Sequence, residues 1–308
     1  MFRISHVFGR RHRVTPVPAP FNQSLFSLGR RCYSEKVSRV VPQLPAPDLS
    51  HAQQNEHVRS VAEQLEWQGI LKVNLGFVDP DSQYLAGLIQ SLHRDHGHQL
   101  PISHSATRGW FWDVRPLPGS TDTTHTSQLA RSETMEVFPW HTDCSYEDQP
   151  PRYFALQVLR PDRCGGGTLS VVEVNRLRDL LPPATRLALM QPEFRINVPA
   201  EFIKHPSQRH ILGSLLADHG GLGPCTVMRL RENIVDPMTE AASRATEELQ
   251  RVFSSGLVNE FAVHLSAVEL PERSIILIDN RRWLHARSSV MDPERHLRRV
   301  RWDAAPFP

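Results

Sequence analysis

The sequence predicts an α+β protein whose core is mainly β-sheet. Three apolar segments rich in β-branched and aromatic residues, at 151–159, 169–172 and 274–279, are typical of buried strands. Segments with helical patterns precede and separate these strands. The 308 residues contain no internal repeat, and we expect residues 49–308 to form a single domain. No run of 18 apolar residues is present, so no transmembrane helix or membrane insertion is expected.

The segment before this domain is predicted to be a linker. Residues 34–48 contain three prolines, which disfavour both helix and central strand. A helix is predicted over about 50–66, with Asp48 or Ser50 as its N-cap, because short polar side chains satisfy the first free N–H groups of a helix. A strand is predicted over 69–73.

A second helix and an aromatic strand complete the first third of the domain. The helix is predicted to run from Asp79 or Asp81 to about His96. The strand is predicted over 108–114, and we interpret its aromatic side chains as core residues. Residues 115–133 are rich in Pro, Gly, Ser and Thr, and they are predicted to form an inserted loop that could act as a lid.

The second half is predicted to contain two helices and the remaining strands. The helices are predicted near 175–191 and 236–253, with an insertion near 200–222 between them. The insertion, which contains Phe202, Lys204, His205, Arg209 and His210, is predicted to lie near the mouth of the pocket. We interpret it as a surface loop, with substrate-binding residues as the alternative. The final strands are predicted at the following positions: about 257–265, 273–279, 284–290 and 297–303.

Charge is distributed unevenly along the chain. Residues 1–33 contain six arginines and no acidic residue, which leaves 29 basic and 33 acidic residues for the rest. An Arg-rich, Ser-containing, acid-free leader is typical of a mitochondrial transit peptide, and Arg31-Cys32-Tyr33 before Ser34 resembles a matrix-protease cleavage site. A disordered basic tail on a cytoplasmic protein is the alternative. The mildly acidic body argues against nucleic acid as a partner.

The cysteines do not indicate a disulfide framework. No C-x-x-C pair is present, and in a mitochondrial or cytoplasmic protein we expect free thiols at Cys32, Cys144, Cys164 and Cys225. Cys144 directly follows Asp143. On a strand it would point away from that side chain, so we interpret it as a small packed residue and not as a metal ligand.

A possible metal site comes from His141-Thr142-Asp143 and from His285, which lies 142 residues after Asp143. Residues i and i+2 of an extended segment point to the same side, so His141 and Asp143 can reach one ion. Two histidines and one carboxylate form the facial triad of non-haem Fe(II) oxygenases, which leaves positions open for a cosubstrate and O₂. The short motif alone is weak evidence, because the chain has 16 histidines.

The surrounding motifs make the prediction more specific. Residues 60–305 resemble the taurine dioxygenase/clavaminate synthase-like superfamily of Fe(II)- and 2-oxoglutarate-dependent oxygenases. The resemblance implies a double-stranded β-helix, or jelly roll, flanked by helices. Four motifs carry it: Trp140-His141-Thr142-Asp143, Gly165-Gly166-Gly167-Thr168, Asp279-Asn280-Arg281-Arg282-x-x-His285-x-Arg287-Ser288, and the basic strand at 297–302.

The resemblance implies a role for five residues. His141, Asp143 and His285 would be the iron ligands. Arg299 would pair with the distal carboxylate of 2-oxoglutarate, and Thr168 would donate a hydroxyl hydrogen bond to the same carboxylate. A planar guanidinium suits this task because it binds a carboxylate bidentately and stays charged when buried. The implied cofactors are therefore Fe(II), 2-oxoglutarate as cosubstrate, and O₂.

The neighbouring charged residues leave alternatives open. Alternation on a strand puts Arg299 and Arg301 on one face and Arg298 on the other, so Arg301 could also face the pocket. Arg287 shares the face of His285 and could orient the cosubstrate or be structural. Sulfonate-using relatives carry a second arginine four residues after the cosubstrate arginine, but this chain has Asp303 there. We therefore do not transfer taurine as a substrate, and we interpret Asp303 as a surface residue rather than as a partner for a substrate ammonium group.

The predicted function is oxidation of an unactivated C–H bond in a small molecule, with hydroxylation as the expected outcome. An amino acid or another small carboxylate is the substrate class implied by the resemblance. One alternative is a metal-free jelly-roll protein that binds a small molecule and has lost catalysis. Another is a zinc hydrolase that uses the same three ligands. The oligomeric state cannot be predicted from the sequence.

Overall fold

The computed structural model describes residues 40–103, 109–117, 130–204, 207–220 and 224–308. The chain divides into two units, Met1–Ser38 and Arg39–Pro308. The predicted transit peptide at 1–33 therefore lies outside the described residues, as do residues 118–129 of the predicted lid.

The described part contains fifteen strands and six α-helices. The strands are β1 Gln43–Ala46, β2 Ile70–Leu75, β3 Phe111–Val114, β4 Phe138–His141, β5 Pro151–Arg160, β6 Leu169–Glu173, β7 Phe194–Asn197, β8 His210–Gly213, β9 Leu216–Gly220, β10 Pro224–Met228, β11 Val235–Pro237, β12 Val263–Leu265, β13 Ser274–Asp279, β14 Trp283–Arg287 and β15 His296–Ala304. The helices are α1 Asn55–Trp67, α2 Gln83–His96, α3 Val174–Leu180, α4 Pro183–Leu189, α5 Glu240–Ser254 and α6 Leu257–Phe261.

A six-stranded major sheet has the order β1-β2-β13-β5-β15-β3. Strand β13 pairs antiparallel with β2 on one side and with β5 on the other, and β15 pairs antiparallel with β5 and β3. All six residues of β13 are buried, which explains its continuous apolar sequence. A central strand covered on both faces needs no polar alternation.

A four-stranded minor sheet, β12-β6-β14-β4, packs against one face of the major sheet. Side chains from both sheets form one apolar cluster, in which Phe154 and Ile276 of the major sheet pack with Val171 and Trp283 of the minor sheet. Two facing sheets of this kind are the arrangement of a jelly roll. The mainly β core with flanking helices that the sequence predicts is confirmed.

Helices α1 and α2 cover the other face of the major sheet. Leu65 of α1 and Leu88 of α2 are fully buried and pack in one cluster with Ile275 and Leu277 of β13. Asp79 fixes the start of α2, because its carboxylate accepts hydrogen bonds from the backbone N–H groups of the first two helical residues. Asp79 therefore caps the helix with its side chain, as predicted, although the helix begins only at Gln83 and Ser82 occupies the N-cap position.

A third layer covers the outer face of the minor sheet. It consists of α3, α4, α5, the three-stranded sheet β11-β7-β8 and the hairpin β9-β10. Phe194 of β7 and Leu249 of α5 pack with Val172 and Leu284 of the minor sheet. The prediction of a surface loop near 200–222 is therefore wrong for this segment: its described residues include β8, β9 and a 3₁₀ turn at Ala200–Phe202.

Other differences from the sequence prediction concern short elements. The predicted linker contains β1, which pairs in parallel with β2 despite Pro45, because an edge strand tolerates a residue without an N–H. The predicted strand over 257–265 begins as helix α6 and becomes extended only at β12. The helix predicted near 175–191 is divided into α3 and α4 at Pro182-Pro183, where the first proline cannot continue the helix and the second starts a new one.

Two further features of the described residues concern membranes and cysteines. In the described ranges, no helix combines the length and apolar character needed to cross a bilayer. Cys144, Cys164 and Cys225 are free thiols, as predicted.

Replacement of Leu277 by Ala tests the position of the core. The side chain is fully buried between the major sheet and the helices, so the cavity left behind should lower the free energy of unfolding by about 2–5 kcal/mol. Urea unfolding followed by circular dichroism measures this change. The matched control is Val268→Ala, because Val268 is 83% exposed and its truncation should leave stability nearly unchanged. Equal effects of the two substitutions would contradict this placement of the core.

Candidate active site

The structure brings His141, Asp143 and His285 together at one end of the minor sheet. His141 ends β4, and His285 is its cross-strand partner on β14. Asp143 lies two residues beyond β4, in a turn. The Nε2 atoms of His141 and His285 each lie 3.8 Å from Oδ1 of Asp143, and all three side chains are buried. One donor atom from each residue lies within 4.8 Å of the other two.

The ring of His141 is held in one orientation. Its Nδ1 lies 2.8 Å from the carbonyl oxygen of Pro139, which can only accept, so Nδ1 carries the proton and Nε2 keeps its lone pair for the site. The ring of Phe138 stacks on the imidazole at a centroid distance of 3.6 Å. Burial lowers the pKa of His141 well below its usual range, and the neighbouring His285 lowers it further. The imidazole is therefore neutral, as a metal ligand must be.

The backbone of Asp143 is fixed by a side-chain amide. Its N–H donates to Oδ1 of Asn280 at 2.7 Å, and Nδ2 of Asn280 donates to the Asp143 carbonyl oxygen at 3.0 Å. Burial opposes ionisation of the Asp143 carboxyl. Arg299 and Arg301 outweigh this effect and hold the pKa of the carboxyl well below its usual range. Asp143 is therefore a carboxylate at neutral pH.

These three residues fit an Fe(II) ion. The side chains of all three residues are buried. At 3.8 Å, the Nε2 atoms of the two histidines are too far from Oδ1 of Asp143 to form hydrogen bonds with it. An ion with ligand bonds of about 2 Å bridges such separations. Two imidazole nitrogens and one carboxylate oxygen on one side are the donor set of non-haem iron, with the opposite side free for further ligands.

The arginines of β15 follow the predicted alternation. Arg299 and Arg301 point inward, and their nitrogens lie 3.2 Å and 3.5 Å from Oδ2 of Asp143. Arg301 also contacts the sulfur of Cys144. Arg298 points to the other face, where its Nε donates to Asp113 at 2.8 Å. The structure thus places Arg299 and Arg301, but not Arg298, beside the candidate metal ligands.

Thr168 and Arg287 lie further from the centre of the site. Thr168 precedes β6, and its N–H donates to the hydroxyl of Ser288 at 3.0 Å. It does not line the cavity described below. Arg287 donates to the carbonyl oxygens of Thr134 and Glu136 and so holds the segment before β4. Of the two roles left open by the sequence, the structure supports the structural one for Arg287.

A cavity opens beside the triad, with about 350 Å³ of space including its mouth. Sequence reasoning missed much of its wall, which includes Arg131, Ser132, Phe138, Tyr146 and Arg231. Phe202 belongs to the insertion predicted near the pocket mouth, and the structure places it in this wall. No local signal identifies Arg231, which lies 90 positions from His141 in the chain.

Cys144 and Asp303 are placed differently from what simple strand rules suggest. Cys144 is buried, as predicted, but its φ of +55° takes it out of strand alternation, and it lines the cavity rather than pointing away. Asp303 does not line the cavity. Its carboxylate accepts a hydrogen bond of 2.9 Å from the N–H of Gln99, which ties the end of β15 to the segment after α2.

Known proteins resemble this chain in sequence and in fold. L-asparagine oxygenase of Streptomyces coelicolor is 28% identical over 194 residues, which are 63% of this chain and 52% of that protein. The aligned part thus spans about half of the curated relative. A crystal structure of asparagine oxygenase with Fe(II), 2S,3S-3-hydroxyasparagine and succinate has a TM-score of 0.63 at 20% identity, covering 84% of this chain and 92% of the other.

A second solved structure shares the fold. The non-haem iron oxygenase OrfP, in complex with Fe and α-ketoglutaric acid, has a TM-score of 0.60 at 18% identity, covering 85% of this chain and 93% of that one. The family model for the taurine catabolism dioxygenase TauD, TfdA family matches residues 48–301, which include the triad and both inward-facing arginines of β15. The chain therefore belongs to the TauD, TfdA family of dioxygenases.

Proposed function

We propose that this protein is an Fe(II)- and 2-oxoglutarate-dependent dioxygenase that hydroxylates an unactivated C–H bond of a small molecule. The observation that carries the proposal is the convergence of the three buried side chains of His141, Asp143 and His285 beside a cavity. Membership of the TauD, TfdA family supports the same reaction class.

Five residues have assigned roles in this proposal. His141, Asp143 and His285 would hold iron, each through one donor atom. Arg299 binds the distal carboxylate of 2-oxoglutarate, because it is a buried cation on the inner face of β15. Thr168 adds a hydroxyl donor to that carboxylate. It lies at the start of β6, outside the cavity wall, so this role rests on the family motif alone.

The protein itself contributes orientation and exclusion of water. Iron(II), with 2-oxoglutarate and O₂, supplies the oxidising chemistry when bound. The Pro139 carbonyl orients the imidazole of His141, and Asn280 fixes the Asp143 backbone. Phe138, Tyr146 and Phe202 form an apolar wall that keeps bulk water away from the reacting C–H bond.

The substrate class follows from the relatives. The solved asparagine oxygenase contains a hydroxyasparagine, and an OrfP structure contains (3S)-hydroxy-L-Arg. An amino acid or another small carboxylate is accordingly the substrate class for this chain. A metal-free binding protein is the second candidate. It would not explain why His141, Asp143 and His285 bring three buried ligand atoms together without hydrogen bonds between them.

Succinate formation tests the proposal. Anaerobically purified protein is loaded with Fe(II), supplied with 2-oxoglutarate and a panel of amino acids and small carboxylates, and then exposed to O₂. We expect succinate, with a rate that increases with at least one panel member. Metal analysis of the purified protein separates the alternatives: iron supports the oxygenase, zinc the hydrolase, and no bound metal together with no succinate supports the binding protein.

Replacement of Asp143 by Ala should abolish turnover of 2-oxoglutarate. The substitution removes the only carboxylate among the three candidate ligands and leaves two imidazoles, which bind Fe(II) more weakly. Iron content and succinate formation are the measurements. Asp81→Ala is the control, because Asp81 is exposed and does not line the cavity. Unchanged turnover in the Asp143 variant would refute the ligand assignment.

Replacement of Arg299 by Gln should weaken binding of 2-oxoglutarate. The cost should be about 2–5 kcal/mol, the range for truncating one partner of a buried charge pair. Titration of 2-oxoglutarate into anaerobic, Fe(II)-loaded protein measures it. Arg298→Gln is the matched control, because Arg298 is the adjacent residue on the opposite face of β15 and pairs with Asp113. Similar losses in both variants would show that the inward face of β15 has no special role.

We also propose that residues 1–33 direct the protein to the mitochondrial matrix. Their six arginines and lack of acidic residues support import. Full-length protein with a C-terminal fluorescent tag should accumulate in mitochondria, and a variant that begins at residue 34 should remain in the cytoplasm. A cytoplasmic signal from the full-length protein would overturn this proposal.

A further inference from the structure

The cavity beside the triad is strongly cationic. Four arginines line it, at positions 131, 231, 299 and 301, whereas Asp143 is the one carboxylate among the described residues of the wall. In the proposed function, the charges of Fe(II) and the 2-oxoglutarate dianion cancel each other. The four guanidinium groups then face two carboxylates, those of Asp143 and Glu136. This excess of positive charge favours an additional anionic occupant of the cavity.

Three of the four arginines already have a negatively charged neighbour. Arg299 and Arg301 lie within 3.5 Å of the Asp143 carboxylate. Arg131 lies 3.8 Å from the carboxylate of Glu136. Arg231 differs from these three. Within the described part of the chain, its Nε donates a hydrogen bond of 3.2 Å to Oδ1 of Asn233, a neutral acceptor.

The backbone places Arg231 directly opposite the first candidate iron ligand. Residues 141 and 231 form an antiparallel β-bridge. Next to this bridge, the N–H of Thr142 donates to the Leu230 carbonyl oxygen at 2.7 Å, and the N–H of Leu230 donates to the Thr142 hydroxyl oxygen at 3.0 Å. Arg231 is therefore held in register with the metal motif, although its segment belongs to the outer layer.

The side chain of Arg231 is directed over the same wall. Its guanidinium carbon lies 5.9 Å from the centre of the Phe138 ring, and that ring stacks on His141. A cation over an aromatic face is held in place without losing its hydrogen-bond donors. The remaining guanidinium N–H groups of Arg231 have no hydrogen-bond partner among the described residues, and the side chain lines the cavity.

We infer that Arg231 binds the carboxylate of the primary substrate, and that this substrate is a small organic acid with a net negative charge. The inference rests on the proposed function. Within the proposed substrate class, it favours a small carboxylate over a zwitterionic amino acid. A substrate ammonium group would find only Asp143 among the described wall carboxylates, and Asp143 holds iron. Asp303 lies outside the cavity and offers no alternative.

Binding without turnover tests this assignment directly. The full chain, loaded with Fe(II) and 2-oxoglutarate under anaerobic conditions, is titrated by calorimetry with sets of compounds that share a carbon skeleton. Each set contains a carboxylic acid, its primary amide, the corresponding amine and the α-amino acid. O₂ is then admitted, and succinate is measured for each compound. We expect the acids to bind at least about tenfold more tightly than their amides, and to stimulate succinate formation most.

Variants of Arg231 make the test specific to this residue. Arg231→Gln should weaken acid binding by about ten- to a hundredfold while leaving iron and 2-oxoglutarate affinity unchanged. Arg231→Lys keeps the charge but loses the planar fork, so it should show a smaller loss. Arg195→Gln is the matched control, because Arg195 is exposed on β7, pairs with Asp236 and does not line the cavity. Should the Gln variant fail to fold, the Lys variant retains the comparison between acids and amides.

The outcomes separate the two proposals. Equal binding of acids and amides, preference for an amine or an amino acid, no binding of any acid, or unchanged acid affinity in Arg231→Gln would each overturn the inference. Failure of the unsubstituted protein to bind iron or 2-oxoglutarate would instead overturn the proposed function.

Discussion

The geometry of the site depends on the side-chain amide of Asn280. This residue is fully buried in the turn between β13 and β14, and it forms three hydrogen bonds: two with the backbone of Asp143 and one from Nδ2 to the Pro151 carbonyl oxygen at 2.9 Å. Because β14 carries His285, the amide connects the turn of one candidate ligand to the strand of another. Each buried group left without its partner would cost about 1–3 kcal/mol, so the relative positions of Asp143 and His285 are strongly constrained.

The charges around Asp143 keep its side chain ionised in this geometry. Two arginines from β15 approach the carboxylate from the major sheet, while the two imidazoles approach it from the minor sheet. The carboxylate is thus located between the two sheets of the jelly roll. A metal cation bound beside Asp143 would stabilise the carboxylate in place of Arg299. The guanidinium group of Arg299 would then be available to pair with a second anion.

The parts of the structure that sequence reasoning predicted depend on short-range periodicity. Alternation along β15 separated Arg298 from Arg299, and the spacing of His141 and Asp143 put both at one site, although Asp143 lies beyond the strand. Helices α2 and α5 have clear caps and periodic apolar residues. The parts that it missed depend on contacts between distant segments. The pairing of β1 with β2, the outer layer around β7 to β11, and the bridge from His141 to Arg231 leave no local pattern. The left-handed backbone of Cys144 likewise follows from the sharp turn after Asp143, which residue identity alone does not indicate.

The hydrogen bonds between Thr142 and Leu230 have a consequence for how this fold can diversify. They join backbone groups and one hydroxyl, so they do not depend on the side chain at position 231. Any residue at that position is presented at the same distance from the iron ligands. Natural variation there could therefore change which molecule is accepted while β4, β14 and the ligands stay intact. In evolutionary terms, substrate selection would depend on a residue of the outer layer, and it would change without any change in the iron ligands of the jelly roll.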